Sequence, residues 1–312
     1  MKAMIIGGAG FVGAYLTRHL HDDLKWEVVV TKMPQEQIKA NVKVVNLNIL
    51  ESDKVVSLLQ EEQPDYIFHL AAQSSVAVSW KNPGLTVDVN IKGAVNVLEA
   101  VRIMEKPARV LLIGSGEEYG HILPEESPIK ETNHVRPGNI YAATKACQNM
   151  LGAIYAEAYQ MDVMMVRAFN HIGPNQAPIF VVADFCKQVA EMEAGMREPV
   201  MQVGNLSAKR DFTDVRDVVR AYGLLVQYGK AGETYNVGSG QAIAIEQILQ
   251  MIVSKSALDI QIEIDPEKLR PVDVPIIEAN TQKLVQMTGW KREISLEQTI
   301  QETLDYWRKE VK

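Results

Sequence analysis

Cysteine is nearly absent from this chain of 312 residues: only Cys147 and Cys186 occur, at a spacing that fits no zinc or iron–sulfur pattern and supplies no disulfide framework. Both read as small buried hydrophobes. An excess of positive charge is missing too. Lysine and arginine total 32 against 39 acidic residues, a net charge of −7. That balance argues against nucleic acid or an anionic membrane surface as the main partner, a local basic pocket aside. No apolar run reaches the roughly 20 residues that a membrane-spanning helix needs. The opening MKAMIIGG has a strand pattern and lacks the longer apolar region and cleavage site of a signal peptide, so a cytoplasmic location is expected. Internal repeats and low-complexity segments are absent as well. What remains is an ordinary soluble composition, 47% hydrophobic and 23% charged, with chain enough for one large or two modest domains.

Apolar patterning supplies the architecture. A short strand at Lys2–Ile6 runs directly into Gly7-Gly8-Ala9-Gly10-Phe11-Val12-Gly13, and Phe11, Val12, Tyr15, Leu16 and Leu20 follow at helix-face spacing. Further strands are expected at Trp26–Val30, Val42–Val45, Tyr66–Leu70, Arg109–Ile113 and Val163–Val166. Helical patterns lie between them, after Ser52, over residues 84–104 and from Tyr141 to about Tyr159. Strands alternating with helices imply βαβ units, hence an α/β fold with a Rossmann-type, doubly wound parallel sheet. After about residue 168 proline and glycine loosen the rhythm, until an amphipathic helix from Ser295 to about Arg308. A smaller C-terminal α/β domain is therefore expected. The boundaries are 1–168, with a return at about 213–238, for the first domain, and 169–212 with 239–312 for the second.

Gly7, Gly10 and Gly13 sit between a strand and a helix, the context in which such a triplet carries meaning. The first permits a tight turn, the second lets backbone approach a pyrophosphate, and the third allows the helix to pack closely. A dinucleotide is the expected ligand, with Phe11 and Val12 in the helix turn facing it. The second strand ends Val30-Thr31-Lys32, with no acid to bind a ribose 2′-hydroxyl. A hydroxyl and an ammonium there favour a 2′-phosphate, so NADP(H) is expected ahead of NAD(H). Asn48, beside Ile49 after the third strand, stands where it can hydrogen-bond an adenine.

Tyr141 and Lys145, four residues apart, share one face of a helix. A free phenol, with a pKa of about 10, transfers protons poorly at neutral pH. A neighbouring cation is expected to lower that value, and the hydroxyl of Ser115 to hold a substrate oxygen against the phenol. Such a trio suits proton transfer at a carbinol or carbonyl oxygen.

The motifs fall in a recognisable order: GGAGFVG at 7–13, HLAAQSSV at 69–76, Asn90 in VDVNIKG, GSGEEYG at 114–120, YAATK at 141–145, RAFNHIGP at 167–174, RDFTDVRD at 210–217 and LRPVDVP at 269–275. Covering nearly the whole length, they make the chain similar to the extended short-chain dehydrogenase/reductases that act on nucleotide-sugars. The resemblance implies that Tyr141 is the acid/base, that Lys145 holds the nicotinamide ribose, and that Ser115 binds the sugar 4-oxygen. Asn90 would support the backbone near the lysine, and Leu70, Ala71 and Ala72 would pass beside the cofactor. Ser79, Asn170 and Gly204 would lie on the nucleotide-sugar, Arg210 and Arg270 would grip its diphosphate, and Asp273 would accept from a ribose hydroxyl. His171 belongs to a turn and is given no catalytic role.

Within the family the chain is most similar to the branch that reduces GDP-4-keto-6-deoxymannose, with the GDP-mannose 4,6-dehydratases as near relatives. Gly116 offers no side chain to protonate a leaving hydroxyl, which counts against dehydration; Glu117 stands where a dehydratase base would be, which leaves elimination open. A 4-epimerase with tightly held NAD is a further alternative. A non-catalytic, redox-sensing regulator is a remote one, because such proteins lose the Tyr or the Lys. The partner implied is a second copy of the chain, joined in a four-helix bundle by the Tyr141 helix and the one at 88–104, with Val95, Leu98, Val101, Met150, Leu151 and Ile154 as the candidate face.

Overall fold

The computed structural model describes residues 1–268 and 274–312. Its first element, Lys2–Ile6 (β1), feeds the glycine loop and Phe11–Arg18 (α1). Glu27–Lys32 (β2), Lys43–Asn46 (β3), Ser52–Glu62 (α2) and Tyr66–His69 (β4) follow. Two short helices, Val76–Lys81 (α3) and Pro83–Val87 (α4), are capped by the side chains of Ser75 and Asn82. A widened turn at Asp88–Lys92 joins α4 to Gly93–Arg102 (α5), so the helical pattern over residues 84–104 is continuous but locally unwound. Arg109–Ser115 (β5), Ile140–Tyr159 (α6) and Val163–Ala168 (β6) complete the regular alternation.

The chain then continues through Asn170–Ile172 (β7), Val181–Glu193 (α7), Val200–Val203 (β8), Lys209–Asp214 (β9) and Val215–Tyr228 (α8). Thr234–Val237 (β10), Ala242–Ala244 (β11), Ile245–Val253 (α9), Gln261–Ile264 (β12), Ile276–Ile277 (β13), Gln282–Thr288 (α10) and Leu296–Glu310 (α11) follow.

Seven parallel strands form the main sheet in the order β10-β6-β5-β4-β1-β2-β3. The order reverses beside β1, which opens a crevice at the carboxyl ends of β1 and β4, where ligands bind in such sheets. Both faces of the sheet are covered, so its strands are apolar throughout rather than alternating. Ala3 and Ile5 point to a core with Leu16, Leu20, Val218 and Tyr222 from α1 and α8. Met4 and Ile6 point the other way, to Val55 and Leu59 of α2, Leu98 and Val101 of α5 and Tyr155 of α6. Leu98 and Val101 are thus buried in their own fold rather than on an outer face, while Met150 and Ile154 are exposed.

The second sheet is organised on β9, which pairs with β7 and β13 in parallel and with β11 antiparallel. A separate two-stranded sheet joins β12 to β8. A third core of Phe185, Met201, Ile248, Leu249, Ile300 and Leu304 lies between α7, α9 and α11. Cys186 is buried in that core, whereas Cys147 is only partly buried, contrary to the sequence expectation, and both thiols are free. No helix among the described residues is long and apolar enough to cross a membrane.

Candidate active site

Gly7 turns the chain at φ +83°, a left-handed conformation that favours glycine. A Cβ there would lie 2.5 Å from the Cα of Ala71, so the segment after β4 presses against the loop. The Ile6 carbonyl accepts from the N–H groups of Leu70 and Ala71 at 2.9 and 2.8 Å and fixes that segment, with Ala72 next in line. Gly13 packs on the backbone of Gly8 so closely that no Cβ fits. Gly10 is different: nothing stands within 4 Å of where its Cβ would be. It begins α1, whose first N–H groups no side chain caps. An open, uncapped helix start at the sheet's reversal point fits the pyrophosphate of a dinucleotide. Phe11, one residue on, stacks on His171 with ring centroids 6.2 Å apart, and Val12 packs towards the first core.

Thr31 differs from its expected part. It is buried, and its Oγ1 accepts from the Gly7 N–H at 3.0 Å, so it braces the glycine loop from within instead of presenting a hydroxyl to a phosphate. The Lys32 ammonium, at the end of β2, is held by the carbonyls of Met33 and Pro34, each at 3.2 Å. Asn48 folds its Oδ1 back onto the N–H of Leu50 at 3.1 Å, while Ile49 is buried beneath Gly93. Asn90 is fully buried: Gln73 occupies its amide on both sides at 2.8 and 3.0 Å, and its Nδ2 also donates to Thr144 Oγ1 at 2.9 Å. That ties the segment after β4 to α6, next to Lys145.

Ser115 ends β5 and Tyr141 opens α6, whose start is capped by Asn139 accepting from the Ala142 N–H at 2.8 Å. Ser115 Oγ accepts from the Glu117 N–H at 3.2 Å and lies beside the Tyr141 hydroxyl. The Ser115 hydroxyl donates towards the phenol oxygen, so the two groups sit together where a substrate oxygen can meet both. Lys145 is buried and donates to the Ile113 carbonyl at 2.7 Å and to Gln148 Oε1 at 3.2 Å. Gln148 Nε2 donates to the same carbonyl at 3.1 Å, which holds the ammonium in a fixed seat.

The electrostatics correct one expectation. Burial pushes the Tyr141 phenol up to about 12, helped by the negative charges of Glu118 and Glu117 and opposed only by the Ser115 hydrogen bond. Lys145 does not depress it, because the ammonium is directed at Ile113; burial instead brings Lys145 itself down to about 8, against the charge of Glu118. The phenol is therefore protonated across the neutral range.

Gly116 is buried against Phe169, and a Cβ on it would meet the ring at 3.3 Å. Glu117 reaches the N-cap of α6, its Oε2 accepting from Asn139 Nδ2 at 3.4 Å. Glu118 turns the other way, beneath the strand, where Ser115, Asn149 and Arg167 surround it. Sequence reasoning missed Glu118, although Ser115 and Glu118 stand at the Ser-x-x-Glu spacing of a capping box, and the structure forms that box.

On the opposite wall, Asn170 is exposed at the start of β7 and Gly204 presses its Cα side onto the Lys268 carbonyl, with 2.7 Å left for any Cβ. Arg210 on β9 donates to the carbonyls of Lys209 and Val274 at 2.8 and 2.7 Å. Asp211 beside it, also missed, is fully buried and accepts from the N–H groups of Ser239, Gly240 and Ala279 and from Ser239 Oγ. Ser79 does not reach the cleft: it is fully buried and its hydroxyl donates to the Val76 carbonyl at 2.7 Å. Arg270 and Asp273 lie outside the described residues. His171 Nδ1 donates to the Phe169 carbonyl at 3.1 Å and its own carbonyl accepts from Gln176 Nε2 at 2.8 Å, consistent with a place in a turn.

The Ser115 hydroxyl thus lies beside the Tyr141 phenol, with Lys145 buried one helical turn further along α6. A family model described as GDP-mannose 4,6 dehydratase matches residues 4–303. The chain belongs to that family. Its fold is that of the extended short-chain dehydrogenase/reductases. The GDP-6-deoxy-D-mannose reductase of Pseudomonas aeruginosa is 31% identical to this family member over 312 residues, spanning 100% of this chain and 98% of that one. The solved structure of RMD from Pseudomonas aeruginosa complexed with NADPH matches at a TM-score of 0.86 and 30% identity, covering 99% of each chain. The UDP-glucose 4-epimerase of Thermus thermophilus in complex with NAD matches at 0.87 and 27%, again covering 99% of each chain.

Proposed function

We propose that this protein is a nucleotide-sugar reductase that transfers a hydride from NADPH to C4 of GDP-4-keto-6-deoxy-D-mannose, giving a GDP-6-deoxyhexose of the rhamnose type. The observation that carries the choice of reaction is the closure of position 116. A 4,6-elimination needs an acid beside Ser115 to protonate the departing hydroxyl, and there the Phe169 ring packs directly on a glycine. The 31% identity to a GDP-6-deoxy-D-mannose reductase over the full chain supports the same reading.

When bound, the reduced nicotinamide supplies the hydride. Tyr141 donates its proton to the C4 oxygen as negative charge develops there, and a phenol held at about 12 is in the protonated form that reduction requires. Ser115 donates a hydrogen bond to the same oxygen, and Lys145, one helical turn along α6, holds the nicotinamide ribose. Arg210, with Arg270, grips the diphosphate, while Asn170, Gly204 and Asp273 line the nucleotide-sugar. Gly7, Gly10 and Gly13 cradle the dinucleotide, and Lys32, with no acid at the end of β2, favours a 2′-phosphate. Residues 1–168 and 213–238 serve the dinucleotide and the remainder the sugar nucleotide. Two copies pair through α5 and α6, using the exposed Met150, Ile154 and Tyr159, in the cytoplasm; sedimentation equilibrium should give twice the chain mass.

The test is NADPH consumption with a panel of GDP- and UDP-linked 4-keto sugars. Turnover is expected with the GDP-linked 4-keto-6-deoxy sugar, and a higher kcat/KM with NADPH than with NADH. Protein purified with stoichiometric NAD and consuming no NADPH would overturn the reading in favour of epimerisation or dehydration.

A further inference from the structure

Glu118 has no task in the mechanism above, yet it is fully buried three residues from Ser115. Its carboxylate accepts from the Ser115 N–H at 2.8 Å, from Asn149 Nδ2 at 2.6 Å and from Arg167 Nε at 2.9 Å. The three donors come from the end of β5, from α6 and from β6. Each donates to it, so the set suits an ionised carboxylate; burial pushes its pKa up, and the Arg167 charge with the Ser115 and Asn149 hydrogen bonds pulls the other way. The charge is balanced by Arg167, which is itself fixed. Its Nη1 donates to the Tyr119 hydroxyl at 3.0 Å and the guanidinium lies 4.7 Å from the Tyr119 ring centroid. Tyr119 passes the restraint on, donating to Asn236 of β10 at 2.7 Å.

The backbone makes room for this arrangement. A Cβ at Gly114 would stand 2.5 Å from the Val166 carbonyl and 2.9 Å from Asn149 Nδ2, and against the Glu118 carboxylate as well. Glycine before Ser115 therefore lets the carboxylate fold under the strand. Ser115 is then gripped twice: Glu118 takes its N–H, and its own Oγ takes the N–H of Glu117. Asn149 lies four residues after Lys145, on the same face of α6. One buried anion thus joins the backbone that aims Ser115 to the helix face that carries Lys145.

We infer that Glu118 is a positioning residue, pinned between Arg167 and Asn149, that fixes the Ser115 backbone so that the Ser115 hydroxyl is directed at the oxygen handled by Tyr141. The inference rests on the proposed roles of Ser115 and Tyr141. It does not depend on which C4 chemistry follows, because reduction, dehydration and epimerisation all begin with these groups. A purely structural ion pair is the competing account, and a buried pair is weak evidence of stabilisation by itself.

A double-mutant cycle separates the two. Ser115→Ala alone should lower kcat by about 100-fold, the loss expected for one donor to a developing oxyanion. Glu118→Gln alone should lower kcat by about 10-fold or more with KM for the cofactor and the sugar nucleotide nearly unchanged, while in the Ser115→Ala background it should cost no more than about twofold. The cycle is read on whichever C4 reaction the wild-type protein catalyses, so a different reaction would overturn the proposed function and leave this inference to the cycle. Equal losses in both backgrounds, or an unchanged kcat in Glu118→Gln, would overturn it. Should Glu118→Gln fold poorly, the paired replacement Glu118→Met with Arg167→Met removes both charges and spares the fold the cost of an unpaired guanidinium. That variant should bind NADPH normally and show the same loss of kcat, and wild-type kcat in it would again reject the inference.

Discussion

Around the glycine loop, polar groups find their partners within the first ninety residues and α6: Thr31 holds the Gly7 N–H, the Ile6 carbonyl holds Leu70 and Ala71, and Asn90 holds Gln73 and Thr144. Across the cleft, β9 is held by segments far from it in the chain. Asp211 gathers N–H groups from residues 239, 240 and 279, and Arg210 reaches the Val274 carbonyl. The glycine-loop side is thus a parallel sheet that carries its own braces, while the β9 side is assembled from strands that exist as a sheet only once β9 is in place. The first arrangement suits a ligand shared by many enzymes. The second leaves the opposite wall free to vary, as the proposed sugar-nucleotide role requires.

Tyr141 belongs to the seam between the two sides, and its replacement should have the largest effect. Tyr141→Phe is expected to lower kcat by about 10²- to 10⁴-fold while both dissociation constants, measured by calorimetry, stay near wild type. If binding fell in step with kcat, the tyrosine would be a ligand of one side rather than the proton donor between them. The glycines sharpen the comparison next. Gly13→Ala drives a methyl into the Gly8 backbone and should lower both thermal stability and NADPH affinity, whereas Gly10→Ala enters open space and should lower NADPH affinity at an unchanged melting temperature. Equal melting temperatures in the two variants would contradict the packing described for Gly13.

Asp211→Asn probes the opposite wall. An amide hydrogen facing four donors should cost about 1–3 kcal/mol in urea unfolding and weaken the sugar nucleotide, with NADPH affinity unchanged. A fall in NADPH affinity would show that the two walls are not separately braced.

The smallest effect concerns pH. Burial lowers Lys145 from 10.5 to about 8, so the folded protein sheds that proton before the unfolded chain does. The unfolded state then binds more protons between those values, and stability should rise with pH across that window as the cost of a buried charge disappears. The raised Tyr141 acts with the opposite sign, and only above about 10. Melting temperatures from pH 8 to 10 should rise less in Lys145→Met than in wild type. Parallel curves would mean that the lysine is not the group responsible.

The legible features were those in which local sequence and structure coincide. A strand pattern of period two, a glycine triplet at its end and a tyrosine and lysine one helical turn apart each state their geometry directly. Thr31, Ser79 and Lys145 mark where that reading gave out. All three carry a polar group that a ligand could use, and in each the fold spends that group internally, on Gly7, on Val76 and on Ile113. Glu118 and Asp211 went unread for the converse reason, since charged residues in a motif resemble solvated ones until three elements close around them.

By itself the sequence determined the doubly wound sheet and the glycine loop at its reversal point, and it singled out Ser115, Tyr141 and Lys145 as the candidate trio, because these depend on periodicities and spacings of a few residues. Only the tertiary structure decided where the charges rest. It turned Glu118 under Ser115, aimed Lys145 at a carbonyl and raised the Tyr141 phenol to about 12. The reason is physical: a titration shift depends on which groups are removed from water together, and that is settled by contacts between strands and helices distant in the chain.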